Sequence, residues 1–294
     1  MSNTFIAGDP NSIICGYGSI GSTGNIVNNV IIYDYTNPVN LTIFYSMRNV
    51  ISSYTGPVVN VRRSTDNATS DFYTDLTQSY FTTGSNGTGT TYDTWITGAT
   101  GYIRIWYDQS GKNNNATNSV NGTTQPLVAK ITAPNTKTYY VVKWLSGPGT
   151  RLTMTTSMNP KTIFCHFWND NNIGIYTIIS GVFGQDDNFR FVGTSFATGD
   201  GNDWYYSGTG TKIAYVNGVS STTVTLNSVG GPTTAGWNVM GASVSSPVTF
   251  NFQLVGQDGY SNTRSINGYM VDFFAHNTTI DSTNMVQYYN NRLF

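Results

Sequence analysis

Seven consecutive residues, Asp200-Gly201-Asn202-Asp203-Trp204-Tyr205-Tyr206, hold two carboxylates, a carboxamide and three aromatic rings. Aromatic faces stack on the apolar side of a sugar ring, and carboxylates and amides take its hydroxyls. Asp200, Asn202, Asp203, Trp204 and Tyr205 are therefore candidate ligand-binding residues. Core packing and ordinary surface tyrosine remain the plain alternative. Asp186-Asp187-Asn188 makes a second polar loop. Either loop could offer oxygens to calcium, but neither has the spacing of an EF-type loop. All fifteen acidic residues are aspartates, and the chain contains no glutamate. Paired-carboxylate chemistry would thus rest on aspartate alone, so the chain is expected to bind or build rather than to cut.

The elements that must position these groups are strands. Charged residues make up 10% of the chain, against about 25% in an ordinary soluble domain. Thr, Tyr, Val, Ile and Phe favour strands, and Gly, Asn and Asp favour turns. Missing glutamate removes a good helix former. Strand-like runs recur from Leu41 onward, at Tyr102–Tyr107, Tyr139–Leu145, Thr162–Trp168, Thr249–Val255 and Tyr269–Ala275. The run at Thr162–Trp168 is nearly continuous in apolar character and is expected at the centre of a sheet. Ile213-Ala214-Tyr215-Val216 leads into Asn217-Gly218, the preferred type I′ hairpin turn. Helical spacing occurs only at Met285, Val286, Tyr289 and Leu293, behind a cap at Asp281 or Ser282. Residues 1–38 carry the Gly-rich run Gly16–Gly24 and read as an N-terminal arm, with residues 39–294 as one domain.

A net charge of −1 gives no electrostatic basis for nucleic-acid binding. Arg62-Arg63 is the one adjacent basic pair and reads as a solvated or Asp-paired strand end. His166 and His276 lack metal-ligand spacing, so neither metal nor cofactor is expected. Cys15 and Cys165 fit a disulfide or two buried thiols equally. Residues 1–16 lack a basic region and an apolar run of signal-peptide type, and no segment approaches the roughly 20 apolar residues of a membrane span. The charge-poor surface nevertheless suits an extracellular or virion location.

Three stretches belong together. The first runs through Tyr45-Ser46-Met47-Arg48, Tyr54-Thr55-Gly56-Pro57 and Val61–Asn67. The second is Tyr107-Asp108-Gln109-Ser110-Gly111 with Gln125-Pro126 following. The third joins Gly256-Gln257-Asp258-Gly259 to Ile266–Met270. This pattern resembles the catalytic domain of the α-L-arabinofuranosidase B family and the wider concanavalin A-like, laminin-G-like domains. The resemblance implies an all-β fold, a two-sheet antiparallel jelly-roll sandwich with a short C-terminal helix. It also implies a retaining glycosidase, with two carboxylates about 5 Å apart. Asp258 matches the family's acid/base. The family's nucleophile is a glutamate on a strand placed here near Ile213–Gly218, which holds no carboxylate. Asp108 is a further ligand-binding candidate, although a turn-building role through the local backbone fits it better.

From these readings the chain is expected to be a non-enzymatic surface or virion component of a large DNA virus. Its expected partners are copies of itself, capsid proteins or cell-surface glycans. A lectin-like module and an active arabinofuranosidase are the alternatives.

Overall fold

The computed structural model describes residues 41–51, 53–120, 122–132, 136–145, 150–169, 175–180, 188–192, 208–216, 219–221, 236–247, 252–256 and 266–278. The expected N-terminal arm, the Asn217-Gly218 turn and the C-terminal helix lie outside them. In chain order the strands are β1 (Leu41–Ser46), β2 (Val59–Arg63), β3 (Thr69–Phe72), β4 (Gly101–Trp106), β5 (Ala116–Thr117), β6 (Leu127–Thr132), β7 (Thr138–Trp144) and β8 (Leu152–Met158). They continue with β9 (Thr162–Asn169), β10 (Ile175–Ser180), β11 (Asn188–Val192), β12 (Gly208–Val216), β13 (Val219–Ser221), β14 (Gly236–Pro247), β15 (Phe252–Val255) and β16 (Gly268–His276). A single helical turn, α1 (Tyr92–Trp95), interrupts them. The Thr91 side chain caps α1 by accepting from Thr94 N, and the helix is too short to show helical periodicity in sequence.

The chain is an all-β antiparallel sandwich. One layer runs β1-β16-β9-β14-β12-β13. The other carries β3-β2-β4-β5-β8-β15-β10-β11. Strands β6 and β7 carry the hydrogen bonding from β4 across to β16. The core lies between the layers. Ile43 and Tyr45 of β1, Ile163 and Cys165 of β9, and Phe273 of β16 meet Val59, Val61, Ile103, Trp106, Leu152 and Met154. Tyr45 stacks on Trp106 with ring centroids 5.5 Å apart. The Thr162–Trp168 run is central as its apolar sequence requires, since β9 pairs on both sides, with β16 and β14. Val216 pairs with Val219 across the expected hairpin.

Strand periodicity gives the β1-β16-β9 layer a second buried face. Phe44, Phe274 and Phe164 point away from the main core and stack in cross-strand register, with centroids 5.1 and 5.2 Å apart. Such pairs are worth about 0.5–1.5 kcal/mol each beyond area burial. The row continues through Gly241 to Tyr215. Glycine is required there, because a Cβ at Gly241 would stand 2.3 Å from the Phe164 ring. A bulge between Leu41 and Ile43 turns Leu41 to this second face and leaves Ile43 in the main core. Val50, Ile51, Tyr54 and Leu76, from the connections after β1 and β3, pack over it.

Candidate functional site

The string Tyr107–Gly111 follows β4, whose last residue, Trp106, is sealed in the core. Asp108 is buried, and four donors converge on its carboxylate. Oδ1 accepts from Phe44 N and Ser110 N, each at 2.9 Å. Oδ2 accepts from Ser110 Oγ at 2.8 Å and from Asn114 N at 3.0 Å. Gln109 reaches the same connection: Val50 N donates to its Oε1 at 3.1 Å, and its Nε2 donates to Arg48 O at 2.8 Å. Asn114 then bridges to β8 by exchanging hydrogen bonds with the Thr156 backbone at 2.7 and 2.8 Å. Gly111, at φ +80°, supplies the left-handed turn. The string thus stitches the start of one layer to the other, and the Asp108 carboxylate is committed to the protein's own backbone.

A second buried carboxylate was not singled out from sequence. Ser46 of β1, Asp272 of β16 and His166 of β9 are in cross-strand register. Arg48 Nη2 pairs with Asp272 Oδ2 at 2.8 Å, and Ser46 Oγ donates to Asp272 Oδ1. Burial pushes the Asp272 carboxyl up, but the Arg48 charge and hydrogen bond, with His166 and Ser46, pull it further down. It is therefore held below the usual carboxylate range, and ionised. The sequence signal was a lone aspartate inside the apolar run Val271-Asp272-Phe273-Phe274, which burial tolerates only with a partner. His166 is fully buried in β9. Cys165 is a buried free thiol, pushed up by burial, whereas Cys15 lies outside the described residues.

Other carboxylates serve the surface. Arg63 pairs with Asp66 at 2.6 Å, as expected of an Asp-paired strand end. Its neighbour Arg62 is instead buried, and donates to Gln125 Oε1 and Asn67 Oδ1, each at 2.9 Å. Asp93 pairs with Lys130. Asp75 closes the turn at Thr77–Ser79 through its side chain. Asp71 is half-buried on β3. The candidates Asp200, Asn202, Asp203, Trp204, Tyr205 and Asp258 lie outside the described residues. In sequence the first five precede β12, and Asp258 follows the end of β15. The described part of the strand expected near Ile213–Gly218 falls in β12, whose sequence Gly-Thr-Gly-Thr-Lys-Ile-Ala-Tyr-Val holds no carboxylate.

Residues 31–218 match the family model for the catalytic domain of α-L-arabinofuranosidase B. The chain belongs to this family. No curated protein matches the chain. Two solved structures are similar to it: an α-L-arabinofuranosidase of glycoside hydrolase family 54 soaked with a cyclic sulfate inhibitor, at 15% identity and TM-score 0.49, and an arabinofuranosidase complexed with arabinofuranosyl-α-1,2-xylobiose, at 14% and 0.48. Each match covers 87% of this chain, and the chain spans 64% of the length of either structure. Membership of the arabinofuranosidase B family overturns the expectation of a non-enzymatic virion structural protein. That expectation rested on a neutral Thr/Asn-rich surface and on missing glutamate. Both are properties of composition. They set surface charge and helix content, and they do not specify an assembly partner.

Proposed function

We propose that the chain is an arabinofuranosidase-type glycosidase, acting on α-L-arabinofuranosyl groups of glycans with aspartates in both carboxylate roles. The family match across residues 31–218 carries this reading. Retaining hydrolysis needs one carboxylate as nucleophile and one as acid/base, about 5 Å apart. With no glutamate in the chain, both must be aspartates. Asp258 takes the acid/base role, as the aspartate of the Gly-Gln-Asp-Gly segment. Asp203 and Asp200 are the carboxylates nearest in sequence before β12, so the nucleophile is assigned to this pair. Trp204 and Tyr205 supply the sugar-stacking surface beside them. Aspartate is one methylene shorter than glutamate. A displacement of about 1 Å costs on the order of 10²-fold in rate, so turnover is slow for the family.

The test is release of the aglycone from an aryl α-L-arabinofuranoside by wild type, Asp258→Asn, Asp203→Asn and Asp200→Asn. Turnover that disappears in Asp258→Asn and in one of the other two variants supports the assignment. Equal rates in all four proteins would remove it.

Absence of glutamate favours one second reading, a lectin-like protein that binds the same sugars without cutting them. Saturable binding of arabino-oligosaccharides with no aglycone release would select it.

A further inference from the structure

A carboxylate, a carboxamide and three tyrosines meet on the outer side of β2, β3 and the end of β4. Asp71 of β3 lies opposite Asn60 of β2, while their neighbours Phe72, Val59 and Val61 fill the core. Asn60 Nδ2 donates to Asp71 Oδ1 at 2.7 Å, and Tyr107 Oη donates to the same oxygen at 2.8 Å. Asp71 Oδ2 receives no hydrogen bond from the described residues. Asn60 Oδ1 is buried and has no donor among them either. Tyr73, two residues on from Asp71, shares its face of the extended chain while Phe72 between them is buried, and the Tyr54 hydroxyl, raised first by burial and then by Asp108, is also raised by Asp71.

The cluster is pre-set rather than loose. Tyr54 Oη donates to Pro57 O at 2.6 Å, and the ring lies so close over Gly56 that a Cβ there would stand 2.6 Å from the hydroxyl. Tyr107 is fixed at both ends, by its Oη bond to Asp71 and by its backbone N–H, which donates to Val58 O at 3.0 Å. Two of the motifs singled out in the sequence, Tyr54-Thr55-Gly56-Pro57 and the tyrosine that opens Tyr107–Gly111, therefore build one half-exposed surface.

Its chemistry selects a neutral polyol. The Asp71 carboxylate oxygen without a protein donor accepts a hydrogen bond, as a sugar hydroxyl requires. Tyrosine rings give a flat apolar face at low conformational cost. Burial first, and Asp71 after it, push the Tyr107 hydroxyl well above its ordinary value, so it stays a donor. An anion is repelled by Asp71. A hard cation would need more oxygens than one carboxylate provides.

We propose that Asp71, Asn60, Tyr107, Tyr54 and Tyr73 form a sugar-binding site that holds a neutral residue of an arabinofuranosyl-bearing polysaccharide. The choice of polysaccharide rests on the function proposed above; the polyol chemistry of the site does not.

The test is native electrophoresis of the full chain through gels containing soluble arabinoxylan. Wild type is retarded. Asp71→Asn and Tyr107→Phe each weaken the apparent affinity by about tenfold or more, the loss expected when a hydrogen bond to a charged group is removed. Asp66→Asn makes the same charge change at the tip of the β2–β3 hairpin and keeps wild-type retardation. Tyr107→Phe retains the ring, so a folding defect does not mimic the effect. Wild-type affinity in both Asp71→Asn and Tyr107→Phe would overturn the site, as would retardation abolished by a chelator. If wild type releases aglycone from an aryl arabinofuranoside while these variants bind as wild type does, the site alone falls. A wild type that is neither retarded nor active overturns both proposals.

Discussion

Replacing Asp108 by alanine tests the claim that the Tyr107–Gly111 string is a structural stitch. The carboxylate satisfies three buried backbone donors, Phe44 N, Ser110 N and Asn114 N, together with the Ser110 hydroxyl. Alanine leaves the three N–H groups facing a void. At roughly 1–3 kcal/mol per buried unsatisfied donor, the cost is at least about 3 kcal/mol, and domains of this kind hold only about 5–15 kcal/mol in all. Asparagine keeps one acceptor oxygen and turns an amide NH₂ towards the remaining donors. Its cost is therefore smaller, about 1–3 kcal/mol. Ser110→Ala removes a donor and leaves the carboxylate its backbone partners, and costs about 1 kcal/mol or less. Urea unfolding curves give all three values, provided the slope is unchanged between variants. An alanine variant within about 1 kcal/mol of wild type would refute the reasoning. So would an asparagine variant as damaged as the alanine one.

Gly256 is held at φ +86°, with Trp144 ring atoms 2.2 Å from where a Cβ would stand. Gly256→Ala therefore loses about 2 kcal/mol or more through strain and overpacking together, and a thermal melt within 2 °C of wild type would contradict this. Asp272→Asn and Arg48→Met each break a buried ion pair and cost about 3–5 kcal/mol; the double replacement Arg48→Met with Asp272→Leu recovers most of that loss, and simple additivity in urea midpoints would argue against the pairing. His276 is held at about 4 by burial, below the ordinary value of about 6.5. The unfolded chain therefore binds this proton more tightly, so the contribution of His276 to stability is complete above pH 6.5 or so and is lost as pH falls towards 4. His276→Gln flattens the stability curve in that window, and melts between pH 7 and 4 with an unaltered slope would count against the shift.

Fold class was legible because it depends on short-range chemistry. Strands need β-branched and aromatic residues at the right period, and Thr162–Trp168 and Tyr269–Ala275 supply them without long-range information. Bounds were legible only to within a residue or so, as at Tyr139–Leu145, where the strand is Thr138–Trp144. The turn-building reading of Asp108 was open to local reasoning, since two of its donors lie on Ser110, two residues on. Arg48 with Asp272 was not legible. The two residues are 224 positions apart, and only the register of β1 on β16 brings them together. Asp71 is hidden for the same reason, as its partners Asn60, on β2, and Tyr107, just after β4, come from elsewhere in the chain. For function, one missing residue type is a weaker guide than three matching motifs. A family is defined by its whole pattern of positions, whereas an aspartate can stand in for a glutamate at a cost in rate.

The most direct measurement is aglycone release from an aryl α-L-arabinofuranoside, followed to completion at high protein concentration with Asp258→Asn in parallel. Slow turnover by wild type, with the variant reduced on the order of 10²-fold or more, is the result expected of aspartates working as the carboxylate pair. No release by wild type over the background rate, from a folded protein, would contradict the proposed hydrolysis.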